Sequence, residues 1–126
     1  MKNLSEKELQ LMNILWGIKK GYMKDIVDLY EEPKPAYTTI STLLSRLIEK
    51  KHIGFKLVGR DKEYFPLLKK PVYFSSEFKK MISNYFDNST SQFASFFTEN
   101  TDLTVDQLEE LKSMVDKQIQ KKNKKK

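Results

Sequence analysis

Apolar positions in this chain recur at three- and four-residue spacing through most of its length and alternate in two short stretches. Leu9, Met12, Leu15 and Trp16 share one face over 5–20, the spacing of a half-buried helix. Ser5 with Glu8 three positions on has the form of a capping box, in which hydroxyl and carboxylate take up free N–H groups of the first turn. Gly21, after Lys19 and Lys20, is the predicted stop, with Ile18 at the margin of the stripe. Ile26, Val27 and Tyr30 repeat the pattern over 23–31, and Pro33 and Pro35 then forbid continuation and predict a turn.

The third helical segment is the most informative. From Tyr37 to Lys51, the residues Ile40, Leu43, Leu44, Leu47 and Ile48 make a stripe along one side. Thr38, Thr42, Ser45 and Glu49 fall opposite, with Ser41 and Arg46 flanking them. Thr and Ser are mediocre helix formers, so stability alone does not recommend them there. Short hydroxyl side chains let a helix approach another surface closely and bond to phosphates and base edges. Viewed alone, the face reads equally well as an ordinary solvated surface. Next come two strand-like stretches, 53–57 and 63–67, joined by a polar loop over 58–62; Pro66 suits an edge strand. Three short helices and a ribbon with a basic tip make a winged helix-turn-helix order.

The remainder is helical again. Phe78, Met81, Ile82, Tyr85 and Phe86 share a face over 75–87, and 88–91 is a break with capping residues. Phe93, Phe96 and Phe97 follow at helical spacing. Thr104 with Gln107 forms a second capping box, and Leu108, Leu111, Val115 and Ile119 then make a seam with Met114 beside it. Eight of the 15 aromatic residues fall within 73–97. Their helical spacing in an acidic segment marks them as core or interface rather than a base-stacking platform. So small a lobe of thin amphipathic helix buries too little surface to be secure alone and gains by pairing with its copy. The expected fold is mainly α with a small β-wing: a winged-helix DNA-binding domain over 1–70 and a helical dimerisation domain with a basic tail over 71–126.

Charge sharpens this division. The 126-residue chain carries a net +6, with a pI of about 9.4. Residues 1–70 hold 14 basic and 9 acidic side chains, whereas 71–120 hold 4 and 8. A basic head on an acidic body suggests a polyanion-binding surface. The terminal lysines, Lys121, Lys122, Lys124, Lys125 and Lys126, read as a solvated, frayed end. With no Cys and a single His, thiolate metal sites, Cys nucleophiles and multi-His sites are excluded. His52 reads as a helix-end cation or a half-buried packing residue rather than a catalytic base. Scattered Ser residues supply no triad, and Gly54 and Gly59 make no phosphate-binding motif. No enzyme, cofactor, metal site or small-molecule ligand is expected. No run is long enough for a membrane span, and Met1 to Glu6 lacks the apolar core of a signal peptide, so a cytoplasmic protein is expected.

These residues together resemble the penicillinase-repressor family of bacterial transcription regulators over nearly the whole chain. The opening helix from Leu4 to Trp16, the segment Ala36-Tyr37-Thr38-Thr39-Ile40-Ser41-Thr42-Leu43-Leu44-Ser45-Arg46-Leu47 with Glu49-Lys50-Lys51, and the wing from Gly59-Arg60 to Tyr64-Phe65-Pro66-Leu67 carry the likeness, spacing included. The resemblance implies a homodimer on a near-palindromic DNA operator, acting as a repressor. It puts Ala36, Thr38, Ser41 and Thr42 toward the major groove, Arg46 near the backbone and Arg60 on the wing; Ser45 and Lys62 complete the expected DNA-binding set. Phe78, Ile82, Phe93, Phe97, Leu108, Leu111, Val115 and Ile119 are the expected dimerisation residues. The chain departs from the penicillinase-type members, which carry basic residues in place of Thr38 and Ser41. It also lacks the cysteine motif of the copper-responsive branch. The bond aligned with the proteolytic site of the β-lactam-responsive branch is Phe96-Phe97, with the Phe kept and the Asn replaced; a membrane sensor protease is the implied upstream partner. The rival from another class is a winged-helix protein-interaction module without DNA contact.

Overall fold

The structure, a computed structural model, describes residues 4–124. Met1 to Asn3, which enter the signal-peptide argument, and the tail lysines Lys125 and Lys126 lie outside the described residues. The architecture is mainly helical with a small antiparallel sheet, as the pattern predicts. Its elements are α1 (Glu6–Ile18), β1 (Gly21–Tyr22), α2 (Met23–Asp28), α3 (Tyr37–Glu49), β2 (Ile53–Val58), β3 (Asp61–Pro66), α4 (Lys70–Tyr85), α5 (Thr90–Asn100) and α6 (Val105–Lys124). They fall into two compact units, 1–79 and 80–126.

The first unit contains the core. Leu11, Met12 and Leu15 of α1, Ile26 of α2, and Ile40, Leu43, Leu44 and Leu47 of α3 are buried together with Ile53, Leu68 and Tyr73. The α3 stripe thus faces inward, and Ile48 at its end is half-buried. Trp16 donates its Nε1–H to the Leu68 carbonyl at 2.8 Å and packs on the rings of Tyr73 and Phe74. The Tyr73 hydroxyl accepts the Leu4 N–H at 3.3 Å. These contacts explain why α4 begins at Lys70 rather than 75: its first turns pack on α1, and a proline near a helix start costs no hydrogen bond.

Several boundaries differ from the periodic reading. Lys19, with φ 72°, closes α1, not Gly21. Gly21 instead opens a third strand that the pattern does not predict, and a Cβ there would come within 2.7 Å of Ile18 Cδ1. Strand order is β1-β3-β2, so β3 is central. Pro66 is tolerated because β1 reaches only Glu63 and Tyr64. Val58 pairs with Asp61, leaving a two-residue turn of Gly59 and Arg60 in place of a five-residue loop; Gly59 takes the positive φ such a turn requires. α3 ends at Glu49, where Lys51 turns left-handed and the His52 N–H returns to the Leu47 carbonyl.

The capping box of α1 also joins α1 to α3. Glu8 is only 3% exposed; it accepts the Ser5 N–H at 2.9 Å and the Lys50 ammonium at 2.8 Å. Burial opposes its charge, but Lys50 and the Ser5 donors outweigh it and hold the carboxyl below its ordinary range. Burial and the neighbouring Lys50 push the His52 pKa down against the smaller pull of Glu8. The ring is therefore neutral near pH 7, a half-buried packing group rather than a helix-end cation.

Lys50→Met is expected to destabilise this unit by about 1–2 kcal/mol near neutrality, because it strips a charged donor from a buried carboxylate. With a lowered folded pKa, the Glu8 contribution is complete above about pH 4.5 and is lost as pH falls through the folded value. The gap between wild type and variant should therefore narrow toward pH 3. Urea melts followed through Trp16, the sole tryptophan, check this; an equal gap at both pH values would remove the ion pair as its source.

The second unit is built differently. Among its described residues none is buried. Phe86, Phe93, Phe96 and Phe97 form a local ring cluster, with Phe86 edge-on to Phe93 at 5.5 Å and Phe93 stacked near Phe97 at 6.1 Å. Ser89 caps α5 through the Gln92 N–H, and Thr104 and Gln107 cap α6 reciprocally at 2.9 and 3.1 Å. The second capping box is therefore present, and α6 stays helical through Lys121, Lys122 and Lys124.

Candidate nucleic-acid interface

The α3 face opposite the buried stripe is open. Ala36, as N-cap, and Thr38, Ser41, Thr42, Ser45 and Arg46 are all exposed, and so are Arg60 and Lys62 on the wing. Two unlike surfaces on one helix follow from its period: each inward Leu or Ile fixes the azimuth of the hydroxyl residues between them. Glu49 shares the outward face one turn beyond Ser45.

The fold adds residues that local pattern does not assign. Lys7, in the first turn of α1, lines a shallow groove with Thr38, Thr39, Thr42, Leu43 and Arg46. A cation thus stands beside the hydroxyl face from a helix more than thirty residues upstream, and no periodic signal marks it. Between α2, the start of α3 and the wing lies a larger open cleft of about 770 Å³. Lys24, Tyr37, Tyr64, Arg60 and Lys62 line it, together with the acids Asp25, Asp28 and Asp61. Tyr37, 63% exposed at the first position of α3, sits within the motif that carries the family likeness, though its role is not evident from spacing.

The wing is held in register by its side chains. On one face the rings of Phe55 and Tyr64 pack at a tilt of 59° with centroids 6.3 Å apart, and the Lys62 ammonium lies 4.6 Å over the Phe55 ring. Such a cation–π contact restrains a long side chain without neutralising its charge. On the other face Lys56 meets Glu63 at 3.8 Å. Burial raises the Tyr64 pKa, with Tyr37 adding to it, so its hydroxyl stays protonated as a donor. Behind the helix-turn-helix, the Lys34 ammonium donates to the Val27 carbonyl at 2.9 Å and ties the 29–36 turn to the end of α2. The surface is suited to a polyanion: a small-residue helix face that permits close approach, flanked by Lys7, Arg46, Arg60 and Lys62.

The residues expected to dimerise lie on α4, α5 and α6. Phe78, Leu108, Val115 and Ile119 are exposed, while Ile82, Phe93, Phe97 and Leu111 are half-buried. The Phe96-Phe97 bond lies inside α5; the Phe96 carbonyl accepts from Asn100 at 3.0 Å and the Phe97 carbonyl from the Thr101 hydroxyl.

The family model described as penicillinase repressor matches residues 4–117. The methicillin resistance regulatory protein MecI of Staphylococcus aureus strain N315 is 27% identical over 115 residues, covering 90% of this chain and 94% of that protein. The same-named protein of Mammaliicoccus sciuri is 26% identical over the same shares. A solved structure titled CopR repressor is 29% identical and is covered in full by 54% of this chain, with a TM-score of 0.45.

Proposed function

The chain belongs to the penicillinase-repressor family, and from that membership we propose that it is a dimeric, sequence-specific DNA-binding repressor of transcription. Its relatives are regulators rather than enzymes. The observation that carries the reading is the outward face of α3. Thr38, Ser41, Thr42, Ser45 and Arg46 lie exposed above a buried leucine stripe, with the wing's Arg60 and Lys62 also exposed. In this reading α3 enters the major groove and its N-terminal turns meet base edges. The wing and Lys7 hold phosphates. Residues of α4, α5 and α6 pair two copies, so that two heads meet the halves of an inverted repeat. The support for pairing is a unit without a buried side chain among its described residues that still exposes Tyr85, Phe96, Val115 and Ile119. Relief by a protease at Phe96-Phe97 belongs to the same proposal; because that bond is helical, cleavage requires α5 to open first.

Selection of bound duplexes from a random DNA pool tests the reading, with an inverted repeat as the expected product. A chain that binds no duplex in a salt-dependent way would instead be an interaction module. Within the reading, Arg60→Ala is expected to weaken binding to all duplexes alike and to flatten the slope of log affinity against log salt by about one unit. Titrations at several salt concentrations measure this, and an unchanged slope in a folded variant would take the wing out of the interface.

A further inference from the structure

The groove-facing surface of α3 says what kind of base pair it reads. Over its first two and a half turns the exposed residues are Ala36, Tyr37, Thr38, Ser41, Thr42 and Ser45. None carries a charge, and the one long side chain among them, Tyr37, lines the cleft shared with Lys24, Arg60 and Lys62. The first cation on the helix is Arg46, one turn beyond Thr42, where it and Lys7 line a groove with Thr38 and Thr42.

This composition restricts the chemistry of recognition. Guanine is read in the major groove by a long bidentate donor, Arg or Lys, reaching O6 and N7. Cytosine is read by a carboxylate accepting from N4. The carboxylate on this face, Glu49, is the last residue of α3, at the end away from the base-reading turns. What the face does present is methyl groups, from Ala36, Thr38 and Thr42, beside short hydroxyls. Methyl groups pack on the C5-methyl of thymine, and hydroxyls bond to the adjacent O4, N6 or N7 without choosing strongly among them. The side chains of Ala36, Thr38, Ser41, Thr42 and Ser45 are also short, so the helix backbone can come close enough for those methyl contacts to exclude water.

We propose that α3 reads thymine methyl groups, and hence that the half-site positions under Ala36, Thr38 and Thr42 are A·T pairs, with guanine contacts absent from this part of the helix. The proposal rests on the DNA-binding reading above and specifies its ligand. The charged heads of Lys7 and Arg46 and the wing then supply affinity through phosphates, without sequence preference.

The test uses the full-length chain and a duplex selected from a random pool. Thymines in the half-site are replaced one at a time by deoxyuracil, which removes only the C5-methyl, and binding is followed by fluorescence anisotropy. Affinity should fall about fourfold at each contacted thymine, the equivalent of one buried methyl group. Thr42→Ser, which deletes the protein methyl and keeps the hydroxyl, should abolish the deoxyuracil penalty at one position. Thr42→Val, which keeps a methyl and deletes the hydroxyl, should retain it. Thr42 is exposed, so neither change threatens the fold. A selected inverted repeat with invariant G·C pairs across these positions, or one indifferent to deoxyuracil, overturns the proposal and leaves the repressor reading standing. Failure to select any duplex overturns both.

Discussion

Replacing Leu111 and Val115 together by Asp is expected to abolish the tight operator complex while leaving weak, non-specific DNA binding. Both residues belong to the α6 seam, Leu111 half-buried and Val115 exposed in the single chain. In the proposed dimer they are covered, and two carboxylates buried there without partners would prevent pairing. One head makes half the contacts, and a linked second head raises the effective concentration at the second half-site. Loss of linkage costs about 10²- to 10⁴-fold in affinity by that argument. Sedimentation and operator titration measure the two halves of the expectation. A wild-type chain that is a stable monomer at micromolar concentration would remove dimerisation from the proposal, and so would a double variant that holds an inverted repeat as tightly as wild type. In the wild type, a melting temperature that rises with protein concentration is the matching thermodynamic sign.

Leu47→Ala is expected to cost the first unit about 2–5 kcal/mol, the range for truncating a fully buried leucine into a partly collapsed cavity. Leu47 has no exposed surface and lies between Ser45 and Arg46 on one side and Ile48 on the other. Its loss therefore loosens the element that presents the proposed DNA-binding residues, although Leu47 itself points into the core. Urea unfolding monitored by Trp16 should show the shift, and operator affinity should fall in proportion to the unfolded fraction. Full stability in this variant would mean that the α3 stripe is not what fixes the helix.

These two expectations rest on features of unequal visibility. The α3 stripe, both capping boxes and the helix-turn-helix order are set by interactions within four residues, and a periodic sequence displays them directly. The hydroxyl face of α3 is equally plain, because a helix whose inner side is fixed has no freedom about its outer side. Other features depend on the whole fold. A two-residue strand such as β1 has no period to detect, and only its pairing with Glu63 and Tyr64 defines it. The Glu8–Lys50 bond spans 42 residues, and Lys7 comes beside Thr38 and Thr42 only once α1 packs on α3. Tyr73 and Phe74 read as members of the aromatic stripe to follow, yet they pack on Trp16 and complete the head. Local sequence thus determined which side of each helix faces inward, since that depends on the spacing of apolar residues. Tertiary structure decided which helix each face meets, because that choice depends on the joint packing of side chains far apart in the chain.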